Sequence, residues 1–282
     1  MLTYAAAMAG MSRTAMDAAA HTRLMPGLTP RTHEIRAEYA SLLHVFARFA
    51  KWPEAERSGP PPKLGLRHAH FSNFTWHHTR AMNLAAHVAF NPANETVKEM
   101  LASAMELLRV VVDKIPRDAR SKPGPGNGIY SPNNRAVAAI MLAVAEGRAA
   151  QVTGDKDRAV DFVKEAVLLE DALSYMEPPY VLQPVRQCLG KLLLDLGRLP
   201  EAEEAYRADL RTFPENGWSL LGLYHSILFQ EEDATTKSDT RQEEVADLKR
   251  RTEAAWDHAD LLIDSSCPAF EASAYLWGSG KA

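Results

Sequence analysis

The stretch "RHAHFSNFTWHHTRAMNL" places four imidazoles close together, at His68, His70, His77 and His78. Imidazole nitrogens ligate zinc, copper or nickel. An H-x-H followed by an HH pair could therefore support metal-assisted chemistry if an Asp or Glu joined it. Two features oppose this. His77 and His78 are adjacent, and adjacent side chains point about 100° apart on a helix. No HExxH follows, and "HEIRA", His33 to Ala37, holds only the first half of that motif. Core or surface histidines are the default expectation, with a metal-dependent enzyme in the N-terminal half as the alternative. No metal and no other cofactor is expected.

Other searches for chemistry end sooner. "GPGNG", Gly124 to Gly128, is glycine-rich, but no strand signal precedes it and the spacing of phosphate-binding loops is missing. There is no GxSxG. Cys188 stands between Gln187 and Leu189 with no neighbouring histidine, which suits a small buried residue better than a nucleophile. Glu203 and Glu204 read as a solvated helix face. "YMEPPYVLQPVRQ" gathers Tyr175, Glu177, Tyr180 and Arg186 beside a proline break; aromatics and Arg are common interface anchors, and they also seal connectors between packed helices.

Composition narrows the classes. The 282 residues are 46% hydrophobic and 24% charged with a net charge of -4, enough apolar material for a core and no basic field for a phosphate backbone. Nucleic acid is not an expected partner. Cys188 and Cys267 are far apart and outside any CxxC spacing, so neither a disulfide framework nor a thiolate zinc site is suggested, and a reducing, cytoplasmic setting is expected. No apolar run approaches the roughly 18 residues of a membrane span, so no membrane association is expected. The Ala-rich start, with Arg13 and Arg23 against the single acid Asp17, also fits an organelle transit peptide.

Apolar residues at helical spacing recur throughout, and strand signals are scarce. The expected class is all-α. Helices are expected near 3–21, 31–51, 71–88, 95–114, 134–152, 156–172, 181–196, 200–213, 217–230, 241–265 and 268–277. Punctuation divides the chain into a helical half 1–116, a Gly/Pro/Asn-rich loop 117–134, a second helical region 135–265, and a capping helix with tail at 266–282.

The second helical region carries a period. "LGKLLLDLGRLPEAEEAYRADLRTFPENGWSLLGL" sets Gly190, Gly197, Ala202, Tyr206 and Pro214 at the offsets of a tetratricopeptide (TPR) repeat, a helix hairpin of about 34 residues. Small Gly190 and Ala202 let two antiparallel helices touch, Gly197 suits the left-handed turn after the first helix, Tyr206 fills the gap between helices, and Pro214 ends the second. Gly147, Gly154 and Ala159 repeat the offsets upstream. Trp218 and Gly222 open a third unit.

The stretch from Glu170 to Leu223 resembles a family of TPR proteins through its EPPY, PVRQ-x-LG, GR-x-x-EAE-x-x-Y-x-x-DL and PENGW-x-L-x-GL segments. The likeness is best over residues 134–264. "TWHHTRAMNLAA", with Trp76 and Ala81, and "YAAAMAGMSRTAMDAA", with a turn at Gly10, look like degraded units, the latter being the preferred alternative to a transit peptide. What the resemblance implies is architecture: a TPR-like right-handed solenoid whose first helices line a concave groove. Groove positions are then Met141, Val144, Arg148 and Gln151, next Pro184, Gln187, Lys191 and Leu194, and last Asn216, Ser219, Leu223 and Ser226. The Lys and Asn pattern by which chaperone-binding TPR proteins hold a terminal carboxylate is absent. Arg148 and Lys191 could still pair with an acidic peptide. The expectation is a non-catalytic scaffold or adaptor binding a protein or peptide partner through Arg148, Gln151, Tyr180, Arg186, Gln187 and Lys191. Self-association through unsealed end faces is a further alternative.

Overall fold

A computed structural model describes residues 2–21, 42–60, 70–115, 134–175, 177–235 and 238–271. Among these the chain is all helix and connection. In order, the helices are α1 (Leu2–Met8), α2 (Ser12–His21), α3 (42–48), α4 (Trp52–Arg57), α5 (His70–Phe90), α6 (Glu95–Asp113), α7 (Asn134–Thr153), α8 (Lys156–Asp171), α9 (Val185–Asp195), α10 (Leu199–Thr212), α11 (Gly217–Asp233) and α12 (Asp239–Ala255), with a 3₁₀ turn at Pro268–Phe270. They pack in sequential pairs, α5 with α6, α7 with α8, α9 with α10 and α11 with α12.

Local chemistry sets the ends of the helices. Asn94, Asp155 and Asn216 cap α6, α8 and α11, accepting from the backbone N–H groups of Val97, Arg158 and Trp218. Gly154 and Gly197 take φ of +96° and +70° after α7 and α9, the left-handed turn that a side chain would oppose. Pro200 sits in the first turn of α10, and that helix stops at Thr212 ahead of Pro214.

Close approach within the pairs follows the small residues. Ala159 and Ala202 are fully buried. A Cβ on Gly147 would stand 2.4 Å from Val163 Cγ2 across the α7–α8 contact. Tyr206 of α10 is wedged between α9 and α11: a Cβ on Gly190 would lie 2.4 Å from its ring and one on Gly222 2.1 Å. The hydrophobic core runs without interruption from Trp52 and Phe74 through Val137, Val163 and Leu192 to Phe270, so the two helical halves share one interior.

Several expectations change. The helix expected at 31–51 is described only at 42–48, and the short α4 after it was not anticipated. The helix expected at 241–265 stops at Ala255, because Trp256 turns to pack edge-on against Trp218, 5.2 Å between ring centroids, and covers Gly217. Residues 268–270 form a single 3₁₀ turn where a helix over 268–277 was expected. Positions 272–282 lie outside the described residues, as do His33, His68 and the loop 117–133. Helix α7 is long and apolar enough to cross a membrane by length and composition, contrary to the expectation from apolar runs. Half of that window is buried in the fold, where α7 packs on α5, α6 and α8.

The cysteines also depart from expectation. Cys188 and Cys267, 79 residues apart, are joined in a disulfide, with a Cα separation of 5.0 Å. Distance along the chain hid a pairing that tertiary packing creates, since residues after α12 return across α9.

The first described helices meet the last described segments. Ala6, Ala7, Ala15 and Ala19 pack with Val45, Phe49, Trp218, Leu221 and Ile263. The Trp218 indole donates to the Met8 carbonyl at 3.0 Å. Asp260 accepts from the backbone N–H groups of Ser12 at 2.8 Å and Arg13 at 2.7 Å, capping α2 from the far end of the sequence.

Candidate functional site

Repeat offsets expect one face of α7, α9 and α11 to be a groove; Arg148, Gln187 and Lys191 are instead covered by other parts of the chain, with Gln151 beside Arg148. Two segments of the same chain cover them. Helix α3 supplies Arg48, and residues 263–271 run across α9 and α7.

The second segment is held mainly by its backbone. Arg148 is 2% exposed; its Nη1 donates to the Phe270 carbonyl and its Nη2 to the Glu271 carbonyl, both at 2.8 Å. The guanidinium also lies 5.6 Å from the Phe270 ring centroid and donates to Gln151 Oε1 at 2.6 Å. Lys191 Nζ is 3.0 Å from the Glu271 carboxylate and also contacts Asp195. Tyr206 Oη and Ser266 Oγ share a hydrogen bond of 2.6 Å, and Cys267 is tied to Cys188. Arg148 and Lys191, expected to meet an acidic partner peptide, meet residues 270 and 271 of the same chain. None of these residues lies open in a groove.

Gln187 is fully buried and works in a second network. Its Oε1 accepts from Arg48 Nη1 at 2.6 Å, and its Nε2 donates to Asp209 Oδ2 at 3.3 Å. Asp209 also accepts from Ser219 Oγ at 2.6 Å and Asn216 Nδ2 at 2.8 Å. Arg48 stacks on Trp218, 3.9 Å from the ring centroid. Cation and carboxylate are thus joined through an amide rather than in contact, and both titrations respond. Burial pushes Arg48 down to about 9 and Arg148 down to about 10. Burial also raises Asp209 against the lowering by the Ser219 and Gln187 hydrogen bonds. Asp195 is raised by burial against the pull of Lys191.

Of the other expected anchors, Arg186 forms a two-pronged pair with Asp171, both bonds 2.6 Å, and Tyr180 is half-buried against the core. Both fasten the connector between α8 and α9. Glu170 beside them accepts from the Val185 N–H, and burial lifts its carboxyl to about 7.

The histidines divide. His77 is half-buried, its pKa lowered by burial and by Arg80. His78 is buried and packs on Phe74 at 6.0 Å between centroids; burial, with a smaller push from His44, lowers it to about 3. Among the described residues no three His, Cys, Asp or Glu side chains come together to hold a metal.

Against α3 lies a cavity of about 60 Å³ lined by His44, Arg48, His78, Gln183 and apolar residues of α3, α5, α7, α9, the connector before α9 and Ala269 of the tail. Sequence reasoning found neither the cavity nor Arg48, Asp209 and Glu271. Two signals were available: Arg48 interrupts the apolar run "LLHVFARFA", and Asp209 continues the buried stripe Ala202, Ala205, Tyr206 at helical spacing.

No protein-family model, curated protein or solved structure matches this chain.

Proposed function

We propose that this chain is a TPR-like interaction module, its helix pairs stacked as a right-handed solenoid, whose concave face receives an extended acidic peptide. The face is non-catalytic and recognises the peptide by backbone carbonyls at Arg148 and a carboxylate at Lys191. Residues 263–271 act as a resident occupant that a partner's segment must displace. The observation that supports this reading is the pair of 2.8 Å bonds from Arg148 to the Phe270 and Glu271 carbonyls, since contacts to backbone transfer to any chain that presents a similar acidic side chain.

Displacement tests it. An attached tail competes at high effective concentration, so the variant Cys267→Ser with Phe270→Ala is used to loosen it. Fluorescence anisotropy with a labelled peptide matching Ser265–Glu271, serine replacing cysteine, should show binding to the loosened protein and none to the wild type. Adding Arg148→Met should weaken binding roughly tenfold or more, the worth of charge-assisted hydrogen bonds. No binding to a loosened variant that still melts cooperatively would end the proposal.

A further inference from the structure

Residues 263–271 are fastened to α7, α9 and α10 by ties of two kinds. The polar ties are the Arg148 bonds to the Phe270 and Glu271 carbonyls, the Lys191–Glu271 ion pair and the Tyr206–Ser266 hydrogen bond. Water or another chain can take over each of these, so exchanging one costs little net free energy. The bridge from Cys188 to Cys267 cannot be exchanged that way. While it is closed, Cys267 leaves α9 only if α9 itself unfolds.

The position of the bridge makes it decisive. Cys267 lies within the segment, and Pro268–Glu271 beyond it are held without a covalent tie, so they can lift while the bridge is closed. Packing beneath them is incomplete, since Ala269 and Cys188 both line the cavity of about 60 Å³. Both cysteines are buried, and a reductant reaches them only once 268–271 has lifted.

We propose that the Cys188–Cys267 bridge is a redox latch: opened by a dithiol, it lets residues 263–271 lift away and exposes Arg148 and Lys191 to a partner. One thiolate of the dithiol attacks Cys267 Sγ, the Sγ–Sγ bond breaks, and Cys188 leaves as a thiolate that takes the proton the attacking thiol gave up. The second thiol of the reductant then displaces Cys267 and passes it a proton, so both cysteines finish as thiols and the reductant as a disulfide. Release of the tail stands on these contacts alone; entry of an acidic peptide afterwards rests on the function proposed above.

Hydrogen exchange of the full wild-type chain, with and without dithiothreitol, tests the latch. With the bridge closed, the Cys267 amide exchanges only as α9 unfolds; with it open, exchange follows local lifting of the tail. Reduction should speed exchange across 263–267 about tenfold or more and leave α6 and α8 protected. The double variant Cys188→Ser, Cys267→Ser should show the fast tail with or without reductant. Unchanged tail exchange once both thiols titrate overturns the proposal, as does an equal loss of protection in α6 and α8, or a reductant response kept by the double variant. Phe270→Ala keeps both cysteines and weakens the tail, so it should bind the labelled Ser265–Glu271 peptide under reductant and not without it. If it fails to bind when reduced while the Cys267→Ser, Phe270→Ala protein binds, the latch is overturned. If neither binds although tail exchange rises on reduction, the latch stands and the peptide reading falls.

Discussion

Tyr206 shows how one side chain organises three helices. Its ring stands where Gly190 and Gly222 each lack a Cβ, and its hydroxyl reaches Ser266. Gly222→Ala should therefore cost about 1–3 kcal/mol by overpacking, read from urea unfolding. Combined with Tyr206→Leu, the loss should fall well below the sum of the single changes, because the two residues compete for one space; strict additivity would mean the ring is elsewhere. Titration offers a second prediction at this scale. His44 and His78 are lowered by burial to about 4 and about 3. Both rings are neutral in the fold and take protons on unfolding below the ordinary 6.5. Their contribution is intact above about pH 7 and is lost as pH falls through that window, at up to ~1.4 kcal/mol per pH unit per ring. Glu170, raised to about 7 by burial, acts oppositely: between about 4.5 and 7 the fold holds a proton that the unfolded chain does not, so its share grows as pH falls. Wild type and His78→Leu both keep Glu170. The difference in their stability slopes between pH 6.5 and 4.5 isolates the ring, and the variant should be the shallower.

Among elements, helix ends carry information that helix interiors do not. Asp260 caps α2 across the whole sequence, and its carboxyl is held below the ordinary value: burial raises it, but the hydrogen bonds from Ser12 and Arg13 and the Arg13 charge outweigh burial. Asp260→Ala should cost about 0.5–2 kcal/mol. Amide exchange should accelerate most at Ser12 and Arg13, whereas a change confined to α12 would contradict the capping role. Within the α9–α10 pair, Ala202→Leu should also overpack by about 1–3 kcal/mol, since Ala202 is fully buried between the helices.

For the whole molecule, closure is the governing feature. Helices α1 and α2 cover Trp218, Leu221 and Ile263, the tail covers Arg148 and Tyr206, and the disulfide fixes the tail to α9. A cross-link spanning 79 residues removes much of the freedom of the unfolded chain. Cys267→Ser should lower stability by about 2–4 kcal/mol. Titration of the unfolded wild type without reductant should find no free thiol, and one or two thiols per chain would show that the bridge is not formed. Self-association was expected through unsealed apolar faces at the ends; Ala6, Ala7, Ala15 and Ala19 are instead buried against α3, α11 and Ile263. Exposed apolar residues of α6, Met100, Leu107 and Val110, lie elsewhere.

The sequence by itself determined the helical class, most helix ends and the tight pairs around Tyr206. Those features rest on residues a few turns apart: a glycine needed at positive φ, a proline that stops a helix, a small residue where two backbones touch. Its repeat offset also pointed to Arg148, Gln187 and Lys191, because an offset is local information. Only the tertiary structure decided what meets them. Arg48, Asp260 and Cys267 are separated from their partners by long stretches of chain, and nothing in the local pattern of Gln187, Ser12 or Cys188 reveals which distant segment returns to meet them. The same reason ends α12 at Ala255: helical periodicity continues to Asp264, but packing Trp256 against Trp218 and bringing Asp260 to α2 outweigh the propensity of one more helical turn.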